Sequence, residues 1–370
     1  MSTTPHEPRV LAIDAGGTMT DTFIVDATGH FIVGKAQTTP DDESIGLMQS
    51  AEDALRQWDS TPEAGFPEIR SAVFSGTAML NRLLSRRGQK VGAIVTAGQE
   101  DALQMERGIQ TYLGFSYADR LHIATHHHND PLIPRERMCG VRGRIDLFGN
   151  EVLPLREQDA RDAANALLDA GVQGIVISLI FSYRNPAHEQ RVLEIVEEEK
   201  ARRGSNGDCP VFVSSALYPS RRDFPRLNST VIEAYAAEPS RGTLRAVRDR
   251  TRERGAGFEL RVMASHGGTI SIDADQLATT LVSGPIGGVV GARWLATGMA
   301  RSWFLGSSLR HSCLTRIPLL ALRCSSFLRT SRRPGQRPGQ RSKAAVAADW
   351  LACGRSVIVV SRERAQGAHP

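Results

Sequence analysis

No stretch of this chain approaches the roughly 18 consecutive apolar residues that a membrane-spanning helix needs, so no transmembrane segment and no membrane partner is expected. The N-terminal Met-Ser-Thr-Thr-Pro-His-Glu-Pro has neither a basic start nor an apolar run, so a signal peptide is not expected. The five cysteines, Cys139, Cys209, Cys313, Cys324 and Cys353, show no Cys-X-X-Cys spacing. This excludes zinc ribbons and a disulfide scaffold, and makes a reducing, cytoplasmic setting the expectation. Cys139 and Cys209 read as core or loop thiols. No Ser-His-Asp or paired-carboxylate pattern stands out. His126, His127 and His128 are adjacent, so neighbours point in different directions, and they read as a solvated loop rather than as metal ligands.

The net charge of +5 hides an asymmetry. Residues 301–370 hold twelve arginines and one lysine against two acids, whereas residues 1–300 hold 32 basic and 38 acidic residues. The body is mildly acidic, so its charge gives no reason to expect nucleic-acid binding.

Against these absences stands one dense segment, Val10-Leu-Ala-Ile-Asp14-Ala-Gly16-Gly17-Thr18-Met-Thr20-Asp21-Thr-Phe-Ile-Val25. An apolar run ends in an aspartate, a glycine pair and hydroxyl residues follow, and a second β-branched run begins. The alternation predicts two strands joined by a tight turn, with a third strand over Phe31–Val33. Backbone N–H groups at Gly16 and Gly17 carry no Cβ bulk to block an anion, and Thr18 and Thr20 add hydroxyls. Asp14 at the strand end is placed to hold a hydrated Mg2+ or to orient an attacking water. Asp-X-Gly-Gly alone also marks plain hairpins; polar groups through the whole loop favour a phosphate cradle.

Further along, Asp41–Trp58 has a helical apolar stripe, and Thr61–Pro67, with two prolines, reads as a loop. Ala72–Phe74 reads as a strand running into Ser75-Gly76-Thr77, then a helix through Met79 and Leu84 that Gly88 ends. Val91–Val95 reads as a buried strand, and residues 110–150 as irregular. Arg161–Ala170 reads as a helix, Gly174–Phe181 as a buried strand, and a helix runs from Pro186 to about Lys200. Val211–Val213 reads as a strand, a long helix is expected over Arg226–Tyr235 or beyond, and Phe258–Met263 as a strand. This alternation predicts an α/β fold. His266-Gly267-Gly268-Thr269 follows the last strand and is either a phosphate- or substrate-facing turn or a simple strand exit. Ser283-Gly284-Pro285 with Gly287-Gly288 opens a helix, where free N–H groups can bind an anion or glycines can pack closely. Ser75-Gly76-Thr77 similarly precedes a helix.

The Asp14–Thr18 loop, Ser75–Thr77 with Asn81–Leu84, Val91–Val95, His266–Thr269 and Ser283–Gly288 together resemble the hydantoinase A/5-oxoprolinase family. The subfamily-level matches, Ile13–Thr22, Val33–Gln37, Tyr235–Arg241 and Arg261–Ser271, are most similar to acetone carboxylase β-type subunits. The resemblance covers about Arg9 to Ala300. It implies a ribonuclease H-like ATPase lobe of the actin/sugar-kinase/Hsp70 type, with the second lobe incomplete. It implies a hydantoinase/oxoprolinase N-terminal α/β domain over 9–205 and the start of a hydantoinase A-type domain over 206–300. The implied chemistry is ATP-driven carboxylation of acetone with bicarbonate to acetoacetate, through a phosphorylated intermediate. The alternatives are an ATP-dependent hydantoinase or oxoprolinase component that opens a cyclic amide, and a non-catalytic nucleotide-binding fragment. The implied partners are other carboxylase subunits, one of which bears a further metal such as Mn2+, and a small ketone or cyclic amide.

The resemblance further implies ATP and Mg2+ as cofactors. Asp14 serves as the catalytic and metal residue. Gly16, Gly17, Thr18, Thr20, Asp21, Ser75, Gly76, Thr77, His266, Gly267, Gly268, Thr269, Ser283, Gly284, Gly287 and Gly288 surround the nucleotide. The family then continues with a second Asp-X-Gly-Gly-Thr loop, which this sequence lacks. Instead, residues 301–370 turn arginine-rich, with the duplicated Pro334-Gly-Gln-Arg-Pro-Gly-Gln-Arg341. A translated frameshift, a basic arm and an unrecognised folded module are the open readings. The frameshift is the expectation, with a mostly disordered tail and a chain inactive by itself.

Overall fold

The computed structural model describes residues 6–39, 42–105, 116–122, 124, 130–204 and 209–304. The chain divides into two units, Met1–Gly287 and Gly288–Pro370. The expectations for the tail from 305 onward and for His126–His128 lie outside the described residues.

The first unit opens with the antiparallel meander expected from the alternation: β1 (Pro8–Ala15), β2 (Met19–Asp26) and β3 (Phe31–Gln37). Helix α1 (Glu43–Arg56) follows, its N-terminus capped by Asp42, whose side chain accepts from the Ser44 N–H. It lies against β2 and β3, and Gly34 is the reason it can. A Cβ at Gly34 would sit 2.0 Å from the Ser50 carbonyl oxygen and 2.3 Å from the Ala54 nitrogen. Only a residue without a side chain lets strand and helix backbones approach that closely.

Residues 61–67 are a turn of helix rather than a loop. Proline at a first helical turn loses no hydrogen bond, and Pro62 and Pro67 use this in α2 (Pro62–Gly65) and the 3-10 turn Phe66–Glu68. β4 (Ser71–Gly76) leads into α3 (Ala78–Ser85). That helix stops at Arg86 in the left-handed conformation (φ 58°), two residues before Gly88. Gly88 is needed for another purpose: a Cβ there would lie 2.2 Å from the Tyr235 ring.

Next come β5 (Val91–Thr96), α4 (Ala102–Met105), α5 (Tyr117–Leu121), β6 (Met138–Val141) and the hairpin β7 (Arg144–Ile145)–β8 (Glu151–Leu153). Then α6 (Glu157–Asp169), β9 (Gly174–Ser178), α7 (Ala187–Arg202), β10 (Val211–Val213) and α8 (Ser214–Leu217) build the second sheet and its cover. This sheet is all parallel, in the order β10-β9-β5-β6. Every residue of β5 and β9 is buried, as strands covered on both faces must be. β9 ends at Ser178, short of the expected Phe181, which takes a left-handed φ of 59°.

The expected long helix begins three residues earlier and is interrupted. α9 (Asp223–Ile232) runs through a π-helical turn, Glu233–Ala237, into α10 (Glu238–Glu253). The widened turn places Glu233 to accept from the Leu277 and Ala278 N–H groups and the Tyr218 hydroxyl. Burial raises the Glu233 carboxyl, and these donors with Arg241 oppose the rise.

β11 (Leu260–Met263) and β12 (Thr269–Ser271) return to the first sheet, and α11 (Ser283–Phe304) follows. The sheet order is β12-β11-β4-β1-β2-β3, with β1, β4 and β11 parallel. Three C-terminal strand ends therefore emerge at one edge. In open α/β sheets that edge is where ligands bind.

Candidate phosphate and metal site

Asp14, at the exit of β1, pairs in register with Asp21 on β2 and Ser75 on β4. Cross-strand partners share a sheet face, so the three polar side chains form a row across the strand ends. Asp14 remains exposed. Partial burial, and then the charge of Asp21, raise its carboxyl above the usual range. Asp21 in turn is held by Lys35, with Nζ 2.8 Å from Oδ1.

The turn after Asp14 is fastened from behind. The Gly16 N–H donates to the Met19 carbonyl at 2.9 Å, while the Thr38 N–H donates to the Thr18 carbonyl and the Thr38 hydroxyl to the Gly16 carbonyl. Gly17 and Thr18 are left exposed at the tip. Thr20 points the other way. It is fully buried, and its hydroxyl lies 3.0 Å from that of Thr38, so it braces the turn and offers no free donor at the tip.

The exit of β4 is tied to the same loop. The Thr77 N–H and hydroxyl both reach the Ala15 carbonyl, at 3.1 and 3.4 Å, and Asn81 Nδ2 donates to Thr77. Asn81 also faces Gly17, where a Cβ would lie 3.5 Å from its Nδ2.

The start of α11 closes over these strand ends. The Ser75 hydroxyl donates to Ser283 at 3.3 Å, and the Ser283 hydroxyl donates to the Gly76 carbonyl at 3.2 Å. A Cβ on Gly284 would lie 3.6 Å from Ser75 Oγ and 3.8 Å from Asp14 Oδ1. A Cβ on Gly287 would instead lie 3.5 Å from Met263 Cε. Gly288 is the first residue of the second unit.

The His266–Thr269 turn joins β11 to β12, two strands from Asp14 in the sheet order. Gly267 takes a φ of 92°, and Gly268 accepts from the Ala264 N–H. Arg261 donates to the Thr269 hydroxyl at 3.0 Å. No hydrogen bond among the described residues links this turn to Asp14, Ser75 or the Gly16–Thr18 loop.

The Asp14 row thus unites Asp14, Asp21, Ser75, Gly76, Thr77, Ser283 and Gly284 with the Gly16–Thr18 tip. Its donor set is hard oxygen atoms and backbone amides, which suits a hydrated divalent cation and phosphate oxygens. Thr38 is not foreshadowed by the loop motif, because it lies 22 residues from the Gly16 it holds. Another triad, His6, Asp26 and His30, has ligand atoms within 4.8 Å of one another, but it lies at the β2–β3 turn, at the other end of β2 from Asp21. The thiols of Cys139 and Cys209 are pushed up by burial and are unreactive in character.

Residues 10–200 match the family described as hydantoinase/oxoprolinase N-terminal region, and residues 226–302 match hydantoinase/oxoprolinase. Over 287 residues the chain is 52% identical to the acetone carboxylase beta subunit of Xanthobacter autotrophicus, covering 78% of this chain and 40% of that protein. It is 31% identical over 281 residues to the caprolactamase subunit alpha of Pseudomonas jessenii, covering 74% of this chain and 38% of that protein. The nucleotide-free acetone carboxylase structure superposes with a TM-score of 0.74 at 50% identity, over 80% of this chain and 41% of that one. The ATP-dependent caprolactamase from Pseudomonas jessenii gives 0.65 at 28%, over 75% of this chain and 39% of that one. The chain spans about two fifths of the length of these relatives.

Proposed function

Because this chain belongs to the hydantoinase/oxoprolinase family, we propose that it supplies the first phosphate-binding lobe of an ATP-dependent acetone carboxylase β-type subunit. The observation that carries this reading is the convergence of Asp14, Ser75 and Gly284 at the strand end where a Gly-Gly turn begins. Gly17 and Thr18 hold phosphate oxygens through backbone N–H groups and the Thr18 hydroxyl, while Gly16, whose N–H is given to the Met19 carbonyl, closes the turn beneath them. Asp14, with Asp21 beside it, holds Mg2+, which supplies charge neutralisation of the phosphates when bound. Ser75, Gly76, Thr77, Ser283 and Gly284 keep these groups in position. Gly287 and the His266–Thr269 turn belong to the outer wall of the same site.

The hydrolytic relatives leave a cyclic amide as the rival substrate. The 52% identity to the acetone carboxylase subunit, against 31% to the caprolactamase subunit, favours a ketone carboxylated with bicarbonate. Domains over 9–205 and 206–300, a reducing cytoplasmic setting and hetero-oligomeric partners that carry a further metal such as Mn2+ complete the proposal. Phosphoryl transfer rests on positioning and charge stabilisation from both sides of the nucleotide. One lobe therefore binds Mg·ATP without turning it over, and residues 301–370 supply no second phosphate loop.

Calorimetry with Mg·ATP tests the reading. Binding to the wild-type chain, abolished in Asp14→Ala with an unchanged circular-dichroism spectrum, is the expected result. Equal affinity in both proteins would reduce Asp14 to a turn residue and overturn it.

A further inference from the structure

The opposite face of the six-stranded sheet bounds a cleft that the phosphate loop does not use. It is open to solvent, with a water-accessible volume of about 30 Å3, and is lined from β4, β11, α3, α10 and the start of α1. Phe74, Met79, Leu244 and Val262 make much of its wall apolar. The hydroxyls around it have mostly spent their protons. Ser240 donates to the Ala236 carbonyl, Thr280 to the Leu277 carbonyl, and Ser283 to the Gly76 carbonyl.

Glu43 is the exception. Its relative exposure is 7%, it lines the cleft, and its Oε2 is buried with no hydrogen-bond partner. A buried carboxylate without a partner is among the costliest groups a fold can hold. The same group as a neutral acid is a hydrogen-bond donor waiting for an acceptor. Burial pushes the Glu43 carboxyl up to about 7, with Arg82 on α3 pulling the other way. The Arg82 Nε is likewise buried without a hydrogen-bond partner, whereas Asp42, next to Glu43 in the chain, pairs with Arg250 of α10 at 2.7 Å. The remaining α10 lining is Ser240, Thr243 and Leu244, and β4 and β11 present Phe74 and Val262, none of them charged.

We propose that this cleft is a subsite for a small uncharged carbonyl compound, whose alkyl groups lie against the apolar wall and whose oxygen accepts a hydrogen bond from the Glu43 carboxyl. The choice of a carbonyl compound rests on the proposed function. Its placement is natural there, because Ser283 lines the cleft and accepts from Ser75, the partner of Asp14 across the sheet. A carbonyl substrate held in the cleft adjoins the phosphate site across Ser283.

Acetone and acetamide are the probes, followed by saturation-transfer NMR on the full chain, with Mg·ATP affinity measured on the same samples. Acetone binds at pH 6 and about tenfold more weakly at pH 8, because only the neutral acid donates and its pKa is near 7. Acetamide binding alongside acetone widens the class to amides; acetone alone narrows it to ketones. Glu43→Gln keeps an N–H donor without a titrating group, so its acetone affinity is the same at both pH values. Glu43→Leu loses acetone at both while its Mg·ATP affinity stays at the wild-type level. Acetone affinity that ignores pH in the wild type, or survives Glu43→Leu, overturns the subsite, as does absence of binding by either probe to the folded chain. Acetone binding with the expected pH dependence, in a chain that binds no Mg·ATP, supports the subsite and overturns the nucleotide reading instead.

Discussion

The hydroxyls of Ser75 and Ser283 lie 3.3 Å apart although 208 residues separate them in the chain. One closes the exit of β4 and the other opens α11, so this contact joins the beginning and the end of the first unit at the proposed phosphate site. Ser283 is buried, and its proton goes on to the Gly76 carbonyl. Ser283→Ala therefore costs about 1 kcal/mol of stability, read as a shift in the urea midpoint at constant slope. It also weakens Mg·ATP binding several-fold, because Gly284 is no longer held against Asp14. Unchanged affinity would show that the helix start is positioned without this contact.

Thr18 and Thr20 are neighbours in the motif with opposite roles. Thr18 is exposed at the tip, whereas Thr20 is fully buried against Thr38. Thr18→Val leaves stability within about 0.5 kcal/mol and lowers Mg·ATP affinity. Thr20→Val strands the Thr38 hydroxyl from one partner and costs about 1–2 kcal/mol, with a smaller loss of affinity. Thermal unfolding and calorimetry on the pair separate the two, and a reversal of the pattern would place Thr20 at the ligand.

This division shows what the sequence makes legible. The meander, the buried strands β5 and β9 and the loop at Asp14 follow from local alternation and turn chemistry, so they are readable in order. Whether a hydroxyl in the loop faces a ligand or a neighbour depends on Thr38, which arrives from beyond β3, and no local pattern carries that. The same holds for the π-turn at Glu233. Its geometry is set by the amides of Leu277 and Ala278, more than forty residues away, so the helical periodicity around it reads as one unbroken helix. Proline at 62 reads as loop for the opposite reason. Its residue type is equally at home in a turn and at a helix start.

Two glycines on helix-facing positions respond oppositely to the same substitution. Gly34 meets α1 so closely that an added Cβ would fall 2.0 Å from the Ser50 carbonyl oxygen. Neither backbone can yield cheaply, so Gly34→Ala costs about 3 kcal/mol or more. Gly242 lies within α10 with nothing within 4 Å of an added Cβ. Gly242→Ala stabilises by about 0.5–1 kcal/mol, because alanine loses less backbone entropy on forming a helix. Thermal midpoints moving in the same direction would refute the packing of α1 against β3.

Asp14 carries a pH dependence whose origin is testable. Partial burial and the charge of Asp21 raise its carboxyl, and a cation binds only the ionised form. Metal-dependent ATP affinity therefore falls as pH drops through a value above the ordinary aspartate range. Asp21→Asn removes one of the two causes, so the fall moves to lower pH even though a neighbouring carboxylate is gone. Affinity of Asp21→Asn that is weak at every pH would make Asp21 a direct cation ligand rather than a modulator.

Glu43 ties stability to pH with a definite sign. Its carboxyl titrates at 4.5 in the reference state and at about 7 in the fold. Between these values the folded chain holds the proton that the unfolded chain has released, so stability declines as pH rises. Below about 4.5 the group is neutral in both states and contributes no difference. Above 7 the deficit is complete, on the order of 3 kcal/mol for a shift of this size in a buried group. Glu43→Gln has no charge to bury, so the variant matches the wild type near pH 4 and exceeds it by up to about 3 kcal/mol at pH 8. Other titrating groups move both curves alike, and the difference between the two proteins isolates residue 43. Denaturant melts of both chains at pH 4, 6 and 8 provide that difference. Parallel curves would mean that Glu43 is solvated or paired in the fold, and the neutral donor facing the cleft would be lost with it.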